Sequence, residues 1–196
     1  MGHAVEAVEA FAALRPGGRR SAPADLVALT EDLVAEMLLL SRLDPTREVA
    51  LARVRAAWDG GAAQERLFAW IAAQGGRIDP ERDDWGLDVA PVALVVEAAA
   101  DGWVAAVACR EVGYALADLG GGRRRVEDSL DLSAGILFHA RVGDRVTRGQ
   151  PLATLLCRDR DRAETAARRL RAAVTVAAGP VAPPVLVLER LGSPVP

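Results

Sequence analysis

The sequence predicts an α+β fold, with a helical part first and a strand-rich part after it. Three observations carry this expectation. Apolar residues recur at spacings of three and four through the first 76 residues. A polar, acidic and proline-punctuated stretch follows over 77–91. Beyond it, short runs rich in valine, leucine and alanine alternate with glycine turns. The expected division is a helical part at 1–76, a linker at 77–91 and a strand-rich module at 92–196.

Each element follows from local chemistry. Val5, Val8 and Ala12 fall on one face of a first helix, which Gly17-Gly18 stops. Leu26, Leu29, Leu33, Met37 and Leu40 form the stripe of a second. Asp44-Pro45 reads as an N-cap with proline at the first helical position, opening a third helix that runs to about Trp58. A fourth holds Leu67, Phe68, Trp70 and Ile71 and ends at Gly75-Gly76. VALVVEA (92–98) and WVAAVA (103–108) read as strands, with Asp101-Gly102 as the turn between them. A short helix at 111–119 is stopped by Gly120-Gly121-Gly122. GILFHARV (135–142), the dipeptide RV (145–146) and PLATLLC (151–157) read as strands on tight turns. A charged helix is expected over 161–178, and VLVLE (185–189) could add an edge strand.

Composition narrows the function. The chain has 196 residues, 51% apolar and 26% charged, a globular balance. Its net charge of −3 carries no basic excess for a nucleic-acid partner. Every basic residue other than histidine is arginine, with no lysine anywhere. Arginine stays protonated and clamps anions, but it is a poor proton shuttle. Without lysine there is no side-chain amine for a Schiff base or for biotin or lipoyl attachment. Cys109 and Cys157 lie in no metal-binding spacing and are expected as buried thiols. No signal peptide or membrane span is legible, so a cytoplasmic location is expected and no membrane partner.

Five ordered blocks carry a family resemblance. GHAVEAVEA (2–10) is similar to a G-[NH]-A-x-E-V-x-E-A segment, and AEMLLL (35–40) and AAQGG (72–76) follow in order. ADGWV (100–104) comes next. LGGGRRRVEDSLDLSAGI (119–136) resembles L-G-x-G-R-x-x-x-x-D-x-I-D-x-x-V-G-I, and VGDRVTRGQPLATL (142–155) lies at the right distance after it. Together they resemble the C-terminal portion of the pyrimidine-nucleoside (thymidine) phosphorylases. The resemblance implies a C-terminal module of the α/β-hammerhead type, and a helical part that is a piece of a truncated α/β domain. It implies members about twice this length. Their phosphate- and pyrimidine-holding groups, lysines among them, lie mostly ahead of the G-[NH]-A segment. The reaction it implies is phosphorolysis of pyrimidine (deoxy)ribonucleosides to base and (deoxy)ribose 1-phosphate. Charge develops on the leaving base beside an anionic phosphate, so oriented donors and fixed cations are required. Loss of one such donor costs about 3 kcal/mol, roughly a hundredfold in rate. The isolated chain is therefore expected to be inactive, with no catalytic residue and no phosphate-binding residue of its own.

The remaining candidates are weighed residue by residue. Glu9 resembles a ligand to a monovalent cation (K+) in that family, completed by backbone oxygens from outside this chain. On its own it reads as a solvated helix residue. Gly120, Gly121 and Gly122 invite a phosphate-nest reading, but they follow a helix instead of opening one, so they read as a helix stop. Arg123, Asp128 and Asp131 then read as an ion-pair set fixing this loop. The hairpin VGDRVTRGQPL resembles a lipoyl or biotinyl carrier, a function excluded by the missing lysine. His3 and His139 read as satisfied structural histidines, and Trp58, Trp70, Trp85 and Trp103 as core. Arg162, Arg168, Arg169 and Arg171 read as a solvated face. The partner implied is a missing N-terminal half or a complementary chain, with a homodimer as the family's habit. The alternatives are a non-catalytic interaction module, and a binder of a small anion at 120–125.

Overall fold

The computed structural model describes residues 1–191. The described chain packs as two compact units, one of residues 1–8 with 82–184 and one of residues 9–81 with the final segment from Val185. Six α-helices and two small antiparallel sheets make it a mixed α and β structure.

In the helical unit, α1 (Ala4–Leu14) contributes its second half, followed by a 3-10 turn at Gly18–Arg20. Then come α2 (Ala24–Leu40), α3 (Arg47–Asp59) and α4 (Ala62–Ala73). The core is small: Ala35, Leu39 and Ala50, with Leu38 and Leu51 against them. Charge supplements it. Glu31 of α2 is buried and receives Arg19 from the 3-10 turn at 3.0 Å and Arg55 from α3 at 2.6 Å. Arg19 also reaches Asp59 at 2.8 Å, so three elements share one guanidinium. The Arg55 hydrogen bond, against the cost of burial, holds the Glu31 carboxyl below its ordinary value. Trp58 is buried, and its indole N–H donates to the Ala13 carbonyl at 2.6 Å.

Three expectations for this unit are corrected. Asp44 does not cap α3; Thr46 does, its hydroxyl accepting from Val49 N–H. Asp44 is instead buried and paired with Arg53 at 2.7 Å. Trp70 is not core but 61% exposed, because α4 buries none of its residues. The segment 185–189 forms no strand; it belongs to the helical unit, and Arg190 just after it pairs with Asp32 and Glu36 of α2.

The strand-rich unit follows 77–91, a stretch with no helix or strand. Its strands are β1 (Val92–Glu97), β2 (Gly102–Val107), β3 (Gly135–Phe138), β4 (Arg145–Val146), β5 (Pro151–Leu156) and β6 (Val174–Ala177). One sheet has the order β1-β5-β3, the other β4-β2-β6. β5 is therefore central, with Leu155 opposite both Leu94 and Ile136. The face carrying Val96, Ala153, Leu155 and Ile136 packs on α5 (Cys109–Leu119) and α6 (Arg160–Ala173). The helices meet it through Val112, Ala115, Ala163, Ala166 and Ala167, and the alanines permit close approach. Val104, Val146 and Leu152 form a second cluster under the other sheet.

Here too the structure departs from expectation. β1 and β2 do not form a hairpin, since each pairs into a different sheet. Gly102 joins β6 so closely that a Cβ would meet the Ala177 carbonyl at 2.3 Å. The last helix stops at Ala173, and Val174–Ala177 becomes β6, where β-branched residues pair with β2. Cys109 is exposed; only Cys157 is a buried thiol. Among the described residues, no helix is long and apolar enough to cross a membrane.

Leu155→Ala should cost about 2–5 kcal/mol by leaving a cavity in the sheet–helix core; the urea midpoint of the full chain reads it. The Glu31 pairs give a signed pH dependence. Their contribution is complete above the ordinary glutamate value of 4.5 and is lost as pH falls through the lower folded-state value. Melting temperatures between pH 7 and 3 should fall less steeply for Glu31→Gln than for the parent.

Candidate functional site

The residues singled out by the sequence converge only in part. Gly120 caps α5 in the left-handed region with φ 101°, and Gly121 N–H reaches back to the Leu116 carbonyl at 3.0 Å. Gly120 N–H donates to the Ala117 carbonyl at 3.1 Å, and the two bonds satisfy carbonyls at the helix end. Gly120 also passes Arg162, whose guanidinium a Cβ would meet at 2.8 Å. Gly122 crosses over Ala117, 3.0 Å from where its own Cβ would stand.

The acidic residues of the loop bind its own backbone. Asp128 Oδ2 accepts the N–H groups of Arg125 at 2.9 Å and Arg124 at 3.0 Å, which lowers its carboxyl pKa. Asp131 Oδ1 accepts the Ser133 hydroxyl at 2.5 Å and the Ser133 N–H at 2.9 Å, with the same consequence. The expected ion-pair set of Arg123, Asp128 and Asp131 thus takes another form. Arg123 is exposed and acts on Asp128 only through space. The loop's ion pair runs from Arg124 to Asp118.

Asp118 is the feature that sequence reasoning missed. Its side chain is 2% exposed and is held by Arg124 on one oxygen and by Arg169 Nε at 2.9 Å on the other. Arg169 also donates to Glu111 at 2.7 Å and lies over the Tyr114 ring at 5.6 Å. Arg169 is therefore an internal tie between α5 and α6, not part of a solvated face. A signal was present: Glu111, Tyr114 and Asp118 stand at i, i+3 and i+7, a polar stripe on one helix face.

These residues border an open cavity of about 500 Å³ lined by Asp118, Gly120, Gly122, Arg124, Asp128 and Arg162, among others. Its chemistry does not favour an anion. Asp118, Asp128 and Asp161 face it against only two guanidinium groups, Arg124 and Arg162. Two successive N–H groups of the loop, those of Arg124 and Arg125, already donate to Asp128.

Glu9 lies elsewhere, in the helical unit. It is exposed on α1 beside a shallow depression formed with Ala12, Ala13, Gly18, Ser21, Ala22 and Pro23. It supplies one carboxylate, and no group of three potential metal ligands occurs among the described residues. A hard cation needs about six oxygens, so this chain's side chains alone do not fit one. The histidines are satisfied: His3 Nε2 is 3.0 Å from the Gly121 carbonyl, and His139 Nε2 is 2.7 Å from the Thr154 hydroxyl.

Known proteins of one family resemble this chain. Residues 103–177 match the family described as pyrimidine nucleoside phosphorylase C-terminal domain. A thymidine phosphorylase of Burkholderia orbicola is 37% identical over 171 residues, which are 85% of this chain and 38% of the relative. One of Burkholderia cenocepacia is 39% identical over 173 residues, with the same shares. The chain thus spans a little over a third of the length of the curated relatives it matches. Its ordered motifs, its matched domain and these relatives agree: the chain corresponds to the C-terminal part of the pyrimidine-nucleoside phosphorylase (thymidine phosphorylase) family.

Proposed function

We propose that this chain is the scaffold portion of a pyrimidine-nucleoside phosphorylase and takes part in phosphorolysis only together with an N-terminal catalytic part. The observation that carries the reading is the alignment itself, 85% of this chain against 38% of a thymidine phosphorylase. The local chemistry supports it. Phosphorolysis requires cations and donors aimed at phosphate and at the departing base. This chain has no lysine, and in the loop after α5 the Arg124 and Arg125 N–H groups donate to Asp128. The strand-rich unit serves as the α/β-hammerhead module of the family. Glu9 serves as one ligand of a monovalent cation whose other oxygens come from the N-terminal part. Two free cysteines, with no disulfide, suit a reducing cytoplasm.

The partner reading has its own support. α2 leaves Leu33, Met37 and Leu40 at 55%, 64% and 75% exposed, beside the expected stripe residue Leu26. Apolar surface of this kind, with Trp70 of α4 also exposed, marks a face to be covered. The N-terminal part of the same enzyme is the occupant that the alignment shares imply.

Purified chain incubated with thymidine and phosphate should release no thymine above a heat-killed control. Addition of the separately produced N-terminal part of a relative should restore release. Turnover by the chain alone would refute the scaffold reading. Inorganic phosphate at ten millimolar should leave the melting temperature within about 0.5 °C of its phosphate-free value, because a ligand without a folded-state site adds no stability. A clear rise would point instead to anion binding at 120–125.

A further inference from the structure

We infer that residues 185–191 form a strap on α2 that a single clasp, Arg190, holds shut and that salt releases. The clasp is electrostatic. Arg190 Nη2 pairs with Asp32, and its Nε lies 3.2 Å from Glu36. Asp32 and Glu36 stand four residues apart on α2, so one guanidinium fork reaches both. Nothing comparable holds the rest of the segment. Among the described residues, the backbone of 185–191 makes no hydrogen bond to other backbone. Val185, Leu188 and Leu191 are 72%, 90% and 87% exposed, and Leu186 and Val187 are covered only in part. Little apolar burial therefore anchors the strap.

The clasp can open without leaving a charge stranded. Arg47, the first residue of α3, binds the same two acids: Asp32 and, at 2.5 Å, Glu36. The side chains of Asp32 and Glu36 are only 17% and 34% exposed, so a carboxylate left alone there would be unfavourable. Arg47 keeps both compensated when Arg190 leaves. The Arg190 side chain is 55% exposed and returns readily to water. The two arginines thus differ in kind. Arg47 fixes α3 to α2, and Arg190 adds a reversible tie. Exposed ion pairs contribute little to stability and are screened by salt. The screening length falls from about 10 Å at 0.1 M to about 3 Å at 1 M.

Opening changes the state of this segment and not that of the helix pair beneath it. α2 and α3 keep Arg47 and the small core of Ala35, Leu39 and Ala50. The event is a local opening, confined to a stretch with few buried contacts. The freed run from Val185 to Leu188 is apolar and strand-prone, yet it forms no strand while Arg190 is clasped. Ionic strength is the variable that moves the segment between the two states.

The test is limited trypsin digestion of the full chain. Trypsin must take the Arg190 guanidinium into its own pocket, so it cuts there only when the strap is open. Cleavage after Arg190 is counted by mass spectrometry against cleavage after Arg123, which is exposed and acts on Asp128 only through space. This ratio should rise at least about threefold between roughly 0.05 M and 1 M sodium chloride. Asp32→Asn combined with Glu36→Gln should give the high ratio already at low salt and abolish the dependence. A ratio that ignores salt in the parent, or a double variant that keeps the parent's dependence, would overturn the inference. The double variant also deprives Arg47 of its acids, so a second measurement separates strap from fold. Arg190→Gln should leave the melting temperature within about 1 °C of the parent. Arg47→Gln should lower it by about 4 °C or more. A fall of that size for Arg190→Gln, or none for Arg47→Gln, would equally overturn the strap.

Discussion

The strand-rich unit depends on β5. This strand is paired on both sides, and five of its six residues are buried. One of its faces sets Ala153 and Leu155 against α5 and α6. Burial of an aliphatic side chain of this size stabilises by about 1.5–3 kcal/mol, so the strand anchors a large share of the unit's apolar contact. The alanines of α6 are the complementary constraint. Ala163, Ala166 and Ala167 bring the helix backbone close to the sheet, and larger residues there would push it away. With α5 and α6 fixed in this way, Asp118 and Arg169 meet across their joint, and the glycine loop leaves α5 in a set direction.

The ion pairs of the chain follow the same economy. In the strand-rich unit a nearly buried carboxylate, Asp118, is shared by two arginines that are more exposed than it is. In the helical unit Glu31 plays the equivalent part with Arg19 and Arg55. The guanidinium group suits this arrangement because its planar fork can serve two acids at once, as Arg19 does for Glu31 and Asp59. Such pairs compensate buried charge and orient helices.

The two sheets differ in how their edges are paired. β5 has no free edge, and β6 satisfies one side of β2. Met1 and Gly2 pair along the outer side of β3. The helical unit is open in another sense, with a small aliphatic core and an apolar stripe on α2 that faces outward.

Much of this was legible from the amino-acid sequence. Three- and four-residue spacing located α2 and α4, because helix periodicity is a local property. Glycine after a helix marked the ends of α3 and α5, since few other residues relieve the terminal carbonyls so readily. The order of the motifs pointed to the C-terminal part of the phosphorylase family. Strand pairing was not legible. VALVVEA and WVAAVA look like two arms of a hairpin, and only the position of β5 and β6 shows that they serve different sheets. Nor was the switch from α6 to β6 at Val174, which depends on β2 offering a partner backbone. The Asp118–Arg169 tie joins residues 51 apart in the chain. Local spacing determines which backbone conformations are favourable, but the partner of a strand edge or a buried charge is chosen by packing between distant segments, and that choice appears only in the tertiary structure.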